Sequence, residues 1–300
     1  MSSLSLLQAA LRLANQTEGF QAPGHIAWRA HTESLKSVLA DGKDTLFICP
    51  ENRRHELTAQ YGQAQGSAFS PSVNSTQGRP NGTDDTSATF STIYWEGFNA
   101  EPDFSHYAQS IYERLERQGR LVFPAILADE QADSVRPFVV EGLECRTAIT
   151  EPLVAEKLCE VGFHGITYTL ASEVPVCIQD GIEYRLFTVS AYKGKAGVCL
   201  DQGHAVIYKG PWKHTVDDDG HTYLRGVRTA VCEKTFNLLM SQPYQGQFIP
   251  VRCYVEPPLE KSGFFDCNTP SIRDPKVTKG LLPITGSAEE SCCADGSSCC

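Results

Sequence analysis

A run of alternating strand-like and helix-like segments between Thr89 and Tyr192 is the feature that most constrains the fold. Continuous apolar runs are typical of buried strands, and apolar residues that recur every three or four positions are typical of helices. Where the two alternate, each helix covers the sheet while the chain crosses to the next parallel strand. The alternation therefore predicts an α/β fold with a mostly parallel sheet.

The segments of this run have the boundaries that such elements usually show. The predicted strands cover residues 89–95, 120–127, 163–170 and 184–192. The predicted helices cover residues 102–118 and 151–161. We expect Gly119 and Gly162 to cap these helices, and Asp180-Gly181 to form a tight turn before the last strand. The last two strands are expected to add an antiparallel edge to the sheet.

The residues before this run begin a similar pattern and then lose it. Helices are predicted near residues 3–16, 26–40 and 51–61, with a buried strand over Asp44–Cys49. The stretch 62–88 is rich in Gly, Ser, Thr, Asn and Pro and lacks apolar periodicity. We therefore expect a long loop there.

The character of the sequence changes near residue 200. Short strand-like segments such as HAVIYKG and RGVRTAVC alternate with polar turns, and prolines interrupt the rest. We therefore predict three parts: an α/β domain over 1–200, a smaller β-rich α+β domain over 201–285 and a flexible cysteine-rich tail over 286–300.

The charge and hydropathy of the chain argue against several classes of partner. Its 36 acidic residues exceed its 26 basic residues, and no basic cluster offers a surface for a phosphate backbone. No apolar run reaches the roughly 18 residues that a membrane-spanning helix needs, and residues 1–16 lack the pattern of a secretory signal. The sequence predicts a cytoplasmic protein with no nucleic-acid partner and no membrane partner.

The chain contains 12 cysteines, and the tail EESCCADGSSCC carries four of them in two adjacent pairs: Cys292, Cys293, Cys299 and Cys300. Cysteines of a cytoplasmic chain are mostly reduced, which favours metal ligation or thiol chemistry over disulfides. The usual zinc spacings are missing from the sequence. Adjacent thiols on a flexible tail suit the capture of a soft metal or metalloid, and an incidental, easily oxidised tail is the alternative.

Three histidines, His204, His214 and His221, together with Asp217–Asp219, form another group with metal-ligand chemistry. The sequence DDDGH is more typical of a hairpin turn than of a metal site, so we prefer the hairpin interpretation.

Several short segments, in a common order, carry a resemblance to a known family. SIYERLERQGRLVFPAIL at 110–127 is similar to a helix that leads through a basic, glycine-containing turn into a strand. EGLECRTAITEPLVAEKLCEVGF at 141–163 places a Glu-Cys pair before a helix that ends in Gly-Phe, and GIEYRLFTVSAYK at 181–193 is similar to a closing strand. Residues 204–239 add a Tyr-Lys-Gly segment, an acidic turn and a Val-Cys strand end before a helix. Over roughly residues 88–250 the chain resembles the arsenite methyltransferases.

This resemblance implies a class I methyltransferase domain followed by an arsenic-binding domain. It implies S-adenosylmethionine as the methyl donor and Cys145 and Cys232 as the thiolates that hold trivalent arsenic. Trivalent arsenic is a soft centre and thiolates are soft ligands, so the residue type fits the chemistry. The predicted function is methyl transfer from S-adenosylmethionine to thiol-bound trivalent arsenic or a related soft acceptor, with glutathione or thioredoxin as a thiol reductant.

The other cysteines have simpler interpretations. A single cysteine is most often a small buried hydrophobic residue. We predict Cys159 in the core and interpret Cys177 and Cys199 as structural, while Cys253 and Cys267 receive no role.

The sequence departs from the family at the cofactor. Family members follow their first strand with a glycine-rich turn, whereas PENRRH follows Cys49 here, and Pro50 lacks a backbone N–H. Asp84 and Asp85 lie in a turn-like stretch and are most simply solvated loop charges. The alternative function is therefore a non-catalytic protein that binds a metalloid or metal through Cys145, Cys232 and the tail thiols. A third possibility is an interaction scaffold that binds neither ligand.

Overall fold

The computed structural model describes residues 20–21, 31, 35–36, 44–50, 53, 55–57, 59, 67–71, 89–100, 104–132, 134–171 and 174–284. The chain divides into two compact units, Met1–Gly194 and Lys195–Cys300. The helix predicted near residues 3–16, most of the helix predicted near 26–40 and the tail over 286–300 lie outside the described residues.

The described part of the first unit contains ten strands and two α-helices with defined bounds, and residues 31, 35–36, 53, 55–57 and 59 are also helical, as predicted for 26–40 and 51–61. The strands are β1 Phe20–Gln21, β2 Thr45–Cys49, β3 Ser67–Pro71, β4 Phe90–Trp95, β5 Leu115–Ala128, β6 Phe138–Val140, β7 Leu143–Cys145, β8 Phe163–Leu170, β9 Cys177–Gln179 and β10 Ile182–Lys193. The helices are α1 Ser105–Arg114 and α2 Glu151–Val161, and a short 3-10 helix covers Phe98–Ala100.

Eight of these strands form one mixed sheet in the order β1-β9-β10-β5-β4-β2-β3, with β8 also paired to β10. Strands β3, β2, β4 and β5 are parallel, and β10 runs antiparallel to β5, β8 and β9. The α/β fold and its antiparallel edge are confirmed, and the arrangement is that of a class I methyltransferase-like domain. The antiparallel part is larger than expected, because the hairpin β9–β10 and strand β1 extend it.

Both faces of the parallel strands are covered, which explains their continuous apolar sequences. All five residues of β2 are buried. Along β4, Ile93 and Trp95 pack into the cluster that contains α1 and α2, whereas Tyr94 packs on the opposite face with Phe47. The alternation of side chains across a strand produces this division. Because β2 and β4 are parallel neighbours, their carboxyl ends lie at the same edge of the sheet.

Two local predictions in this unit are confirmed. Gly162 follows α2 in the left-handed region with φ 106°, a conformation that favours glycine. Asp180 and Gly181 have φ values of 51° and 87° and connect β9 to β10, as a type I′ hairpin turn requires.

Two others are corrected. Helix α1 ends at Arg114 and not at Gly119, because the buried Leu115 already pairs with Phe90 and begins β5. The stretch predicted as a loop over 62–88 contains the strand β3, which pairs in parallel with β2 at the edge of the sheet. Backbone pairing to β2 stabilises this polar segment, and an edge strand tolerates the proline at its end.

The second unit is rich in short strands, as predicted. The strands are β11 Leu200–Asp201, β12 Ala205–Tyr208, β13 His214–Val216, β14 Thr222–Leu224, β15 Arg228–Ala230, β16 Phe248–Val251 and β17 Gly263–Phe264. The helices are α3 Glu233–Leu239 and α4 Pro275–Thr278, with a 3-10 helix over Leu259–Lys261.

Strands β15, β12 and β16 form a three-stranded antiparallel sheet, and β11–β17 and β13–β14 form separate pairs. Phe236 of α3 packs with Val206, Tyr223 and Phe248 in the core of this unit. A buried ion pair between Arg273 Nη2 and Asp201 Oδ1, 2.7 Å long, ties the last described segment to β11.

Candidate functional site

Three cysteine side chains of the second unit converge on one point. The Sγ atoms of Cys199, Cys232 and Cys267 all lie within 4.8 Å of one another. Sulfur atoms that share one zinc-sized ion at about 2.3 Å lie about 3.7 Å apart in tetrahedral geometry. Small side-chain adjustments therefore suffice to bring the three sulfurs onto a common ion.

The pairing of β11 with β17 brings two of these cysteines together. Leu200 pairs with Phe264, and the N–H of Phe265 donates to the carbonyl of Cys199 at 2.9 Å. Cys267 follows two residues later. Because Cys199 and Cys267 are 68 positions apart in the chain, sequence spacing gives no sign of their contact.

The start of α3 places the third cysteine. Cys232 is the N-cap residue of this helix, and its Sγ accepts a hydrogen bond from the backbone N–H of Thr235 at 3.4 Å. A cap with an extended backbone fixes the direction of its side chain. The helix start thus holds the sulfur in the cluster.

The surroundings of Cys232 favour its thiolate. Burial by itself acts to raise the pKa of this thiol, but hydrogen bonds from Thr235 and Cys267 and the charge of Lys195 outweigh it, so the pKa is lowered. Lys195 Nζ donates to Thr235 Oγ1 at 2.8 Å, and that hydroxyl lies 3.2 Å from Cys232 Sγ. The thiol of Cys232 donates to this hydroxyl, and once the thiol loses its proton the hydroxyl donates to the thiolate, which is how Thr235 lowers the pKa.

The pKa of the Cys267 thiol is shifted in the opposite direction from that of Cys232. Burial first, and then its neighbours Cys199 and Cys232, raise the pKa of the Cys267 thiol well above its usual range. Like-charge repulsion favours the neutral form of a thiol beside a thiolate, which agrees with the raised pKa of Cys267 next to Cys232. An ion bound at the cluster would supply the missing positive charge and release the remaining protons.

A cavity of about 120 Å³ adjoins the cluster. Cys232, Cys267 and Thr235 lie on its wall, and so do His221 and Thr222 of the β13–β14 hairpin. His221 Nδ1 lies 2.8 Å from Asp217 Oδ2, and the same carboxylate oxygen accepts from the hydroxyl of Tyr223 at 2.9 Å. The imidazole is therefore held in one orientation at the cavity wall.

Oxygen and nitrogen ligands of Asp217, Asp219 and His221 also lie within 4.8 Å of one another. They are occupied by one another and by their neighbours, because Asp219 pairs with Lys195 Nζ at 2.7 Å and Asp217 holds His221 and Tyr223. Burial raises the pKa of Asp217, but these hydrogen bonds outweigh it and lower the pKa. The predicted hairpin is present, with Val216 paired to Thr222.

The other two histidines of the predicted group lie elsewhere in the unit. His204 is buried, and its Nδ1 accepts from the N–H of Cys253 at 3.1 Å, while His214 is exposed. Neither belongs to a cluster of metal-ligating atoms among the residues that the structure describes.

Cys145 lies in the first unit at the end of β7 and is fully buried. Its Sγ lies 3.4 Å from the carbonyl oxygen of Thr147, and its cluster includes Cys177, Ile126 and Leu186. Burial raises the pKa of this thiol to about 12. Within the described residues it belongs to no group of metal-ligating atoms. Its role as an arsenic ligand stays a prediction.

The structure revises several other cysteine assignments. Cys159, predicted in the core, is exposed, because Val154 and Leu158 form the buried face of α2. Cys199 and Cys267, which the sequence analysis left without a functional role, join Cys232 in the cluster. The tail thiols Cys292, Cys293, Cys299 and Cys300 lie outside the described residues.

The first unit contains a cavity of its own, of about 360 Å³. Its wall includes Pro50, which follows β2, and the segment Glu96–Ala100, which follows β4. Strand β3 lies on one side of β2 and β4 on the other, so this is the point at which the strand order reverses. Open α/β sheets bind their ligands at such a position.

The residues at this position do not supply the contacts through which class I methyltransferases hold S-adenosylmethionine. Pro50 offers no backbone N–H where a glycine-rich turn offers several. The two oxygens of the buried Glu96 are already engaged by Arg53 Nε at 3.1 Å and by the hydroxyl of Tyr94 at 2.9 Å. Residues 57–83 contain no Asp or Glu, so the sequence places no carboxylate directly after β3, where class I methyltransferases carry the ribose-binding acid.

Comparison with known families gives one match. A family described as "Domain of unknown function (DUF8838)" matches residues 195–282, under a third of the chain. The match coincides with the described part of the second unit. No curated protein matches the chain.

Solved structures similar to the chain include several methyltransferases. An arsenic(III) S-adenosylmethionine methyltransferase from Chlamydomonas reinhardtii is 15% identical, with 75% of this chain and 89% of that chain covered and a TM-score of 0.36. A 1,6-didemethyltoxoflavin-N1-methyltransferase from Burkholderia thailandensis is 16% identical over 56% of this chain and 79% of that chain, with a TM-score of 0.36. A methyltransferase from Listeria monocytogenes is 9% identical over 56% of this chain and 99% of that chain, with a TM-score of 0.38. Similarity at this level carries no statement about activity, and the strand order is what defines the fold.

Across the described residues, the helices are too short or too polar to cross a lipid bilayer.

Proposed function

We propose that this chain binds a soft, thiophilic metalloid or metal ion, such as trivalent arsenic, at Cys199, Cys232 and Cys267. The convergence of the three sulfurs within 4.8 Å is the observation that carries the proposal. Three thiolates are the soft ligand set that such an ion prefers. The lowered pKa of the Cys232 thiol supports it, because the thiolate is the form that binds.

Two of the residues predicted from the sequence have different places in this proposal. Cys232 is a ligand, as the family resemblance implied. Cys145 is not a ligand in this proposal, since burial favours its neutral thiol and its sulfur belongs to no group of metal-ligating atoms among the described residues. The tail pairs Cys292/Cys293 and Cys299/Cys300 remain proposed as a second, weaker capture site that delivers the ion to the cluster.

Reducing conditions are part of the proposal. Two thiols within 4.8 Å can oxidise to a disulfide, which would remove two ligands at once. A thiol reductant such as glutathione or thioredoxin, with a cytoplasmic location, remains the expected setting.

The proposal is tested by titrating the reduced full chain with arsenite and measuring the heat of binding. Replacing Cys199, Cys232 and Cys267 together by Ser is expected to weaken binding more than about 100-fold, since even partners outside the ligand shell cost 10- to 100-fold. The double variant Cys145→Ser/Cys177→Ser is the matched control, because it removes buried thiols from the first unit. It is expected to bind within about twofold of the unaltered chain, as its thiols are not ligands.

Deletion of residues 289–300 separates the tail from the cluster. We expect the deletion to remove weak sites and to leave the strong one. Unchanged affinity in the triple variant, or loss of all binding after the deletion, would contradict the proposal.

Methyl transfer from S-adenosylmethionine to the bound ion is the second candidate function. The cavity of about 360 Å³ at the reversal of strand order favours it, and its volume falls within the usual range of small-molecule sites. The missing glycine turn and the engaged Glu96 oppose it, so we derive no cofactor contact. Calorimetry with S-adenosylmethionine on the reduced chain decides between the two: an absence of heat at high micromolar cofactor leaves binding as the function.

A further inference from the structure

The cavity beside the cysteine cluster has room for more than an ion. A single water molecule needs roughly 10–15 Å³ measured in this way, so a volume of about 120 Å³ accommodates several water molecules or a small ligand. Cys232 and Cys267 face it, whereas Cys199 is not on its wall. An ion held by the three sulfurs would therefore have Cys199 behind it and the cavity in front.

The described residues supply three ligand atoms to this cluster, the Sγ atoms of the three cysteines. Among the residues that the structure describes, no fourth His, Cys, Asp or Glu atom lies within the 4.8 Å group of the three sulfurs. Structural zinc sites are closed by four protein ligands, and sites that react or exchange ligands keep one position for water or substrate. Three sulfurs beside a cavity correspond to the second type.

His221 stands across the same cavity in an orientation fixed by Asp217. Its Nδ1 is engaged with Asp217 Oδ2 at 2.8 Å, which leaves Nε2 as the ring nitrogen without that partner. The carboxylate is itself held by Tyr223, and its side chain is only 5% exposed. A carboxylate-oriented imidazole is the usual device for directing one ring nitrogen toward a metal centre or its ligand.

We propose that the cysteine cluster leaves one coordination position of its ion open toward the cavity, and that His221 binds the exchangeable ligand, a water or a small thiol, at that position. This inference rests on the proposed ion site. The inference adds that the site exchanges a ligand, which delivery or reaction of the ion requires. It also adds that the site binds a divalent tetrahedral ion through three cysteines and one ligand from solution.

The experiment uses Co²⁺, whose visible spectrum reports its ligands. The full chain, with the four tail cysteines replaced by Ser and kept reduced with a phosphine, is loaded with one equivalent of Co²⁺. Sulfur-to-cobalt charge-transfer bands are expected from the three thiolates. Addition of azide, and separately of 2-mercaptoethanol, is expected to change the visible d–d bands in a saturable way.

His221→Gln is the test variant, and His214→Gln, an exposed position on the same hairpin, is its matched control. We expect His221→Gln to weaken azide binding about tenfold while Co²⁺ affinity changes less than about twofold, since an outer partner has an effect of that order on the ligand it contacts. The control is expected to match the unaltered chain in both measurements.

The possible failures are distinguishable. Charge-transfer bands with d–d bands that neither azide nor 2-mercaptoethanol changes would overturn this inference and leave the ion site standing. An equal azide affinity in the His221→Gln and His214→Gln variants would overturn the role of His221. Absence of charge-transfer bands would also overturn this inference, because the three thiolates would then bind no divalent ion, and the arsenite titration tests the ion site separately. The response of the d–d bands to azide and 2-mercaptoethanol is measured without a substitution in the hairpin. This test therefore stands even if His221→Gln does not fold.

Discussion

Cys145 and Cys232 have the same side chain, and the family resemblance gave them the same role, yet their surroundings act in opposite directions. Cys145 is enclosed by apolar residues of the first unit, and burial raises the pKa of its thiol to about 12. Cys232 is equally inaccessible in the second unit, but Thr235, Cys267 and Lys195 offset burial and lower the pKa of its thiol. The neighbours, and not depth of burial, decide whether a buried thiol is available as a ligand.

The same contrast applies to two other titratable groups, His31 and Lys195. The first unit encloses His31, whose pKa is lowered by burial and by the charge of Arg53. The second unit surrounds its cluster with compensated charges, such as the pair between Lys195 and Asp219. Burial that nearby charges do not offset favours the neutral form of a group, and a nearby opposite charge favours the charged form. Three experiments sharpen or break this comparison.

The largest expected effect concerns His31, which lies 2.7 Å from Thr188 Oγ1 and 3.1 Å from the hydroxyl of Tyr94. Its pKa is lowered from 6.5 to about 4, so the unfolded chain binds a proton that the folded chain refuses. Stability from this group is complete above about pH 6.5 and falls by about 3 kcal/mol as the pH decreases to about 4. Urea unfolding measured at intervals between pH 7 and pH 4 provides the free energy of unfolding.

The contribution of His31 is the difference between the unaltered chain and His31→Gln, since other groups titrate in the same range. His55→Gln, at an exposed position, is the control and is expected to keep the pH dependence of the unaltered chain. If His31→Gln and the unaltered chain lose stability in parallel, His31 is not held neutral.

The second effect is the difference in alkylation rate between the two thiols. At pH 8 a thiol with a pKa of about 12 has a thiolate fraction near 0.0001, whereas the lowered pKa of the Cys232 thiol leaves a much larger fraction as thiolate. The more acidic thiol gives a weaker nucleophile, so the difference in reaction rate is smaller than the difference in thiolate fraction. We expect Cys232 to react with iodoacetamide at least about 50-fold faster than Cys145.

Peptide mass spectrometry after timed alkylation measures both rates in one sample. Exposed Cys159 serves as the internal reference for an ordinary accessible thiol. Equal rates at Cys145 and Cys232 would show that the two surroundings do not differ as described.

The smallest effect is that of the Thr235 hydroxyl. Thr235→Val keeps the shape of the side chain and the backbone N–H but removes the hydroxyl 3.2 Å from Cys232 Sγ. The pKa of the Cys232 thiol is then expected to rise, and arsenite affinity at pH 7 to fall about tenfold. The loss should shrink at higher pH, where the thiolate forms without help. A loss that is independent of pH would assign Thr235 a purely structural role. Thr229→Val, on the wall of the same cavity, is the control.

Much of the fold follows from local sequence signals. The apolar run over 44–49, the helix that ends at Gly162 and the Asp180-Gly181 turn are each specified by residues within a few positions, and all are found. Strand β3 was missed because its pairing partner, and not its own composition, makes it a strand. The end of α1 was misplaced because Leu115 serves the sheet before the helical pattern has run out.

For the candidate site, the sequence by itself determined the chemistry that is available: a chain rich in cysteine, without zinc spacings and with Cys232 before a helix. Only the tertiary structure decided which thiols act together. Cys199 and Cys267 meet Cys232 because β11 pairs with β17, and Cys145 is set apart because apolar side chains surround it. The physical reason is that ligation depends on distances and on the local electrostatic field. Both are set by contacts between residues that are far apart in the chain.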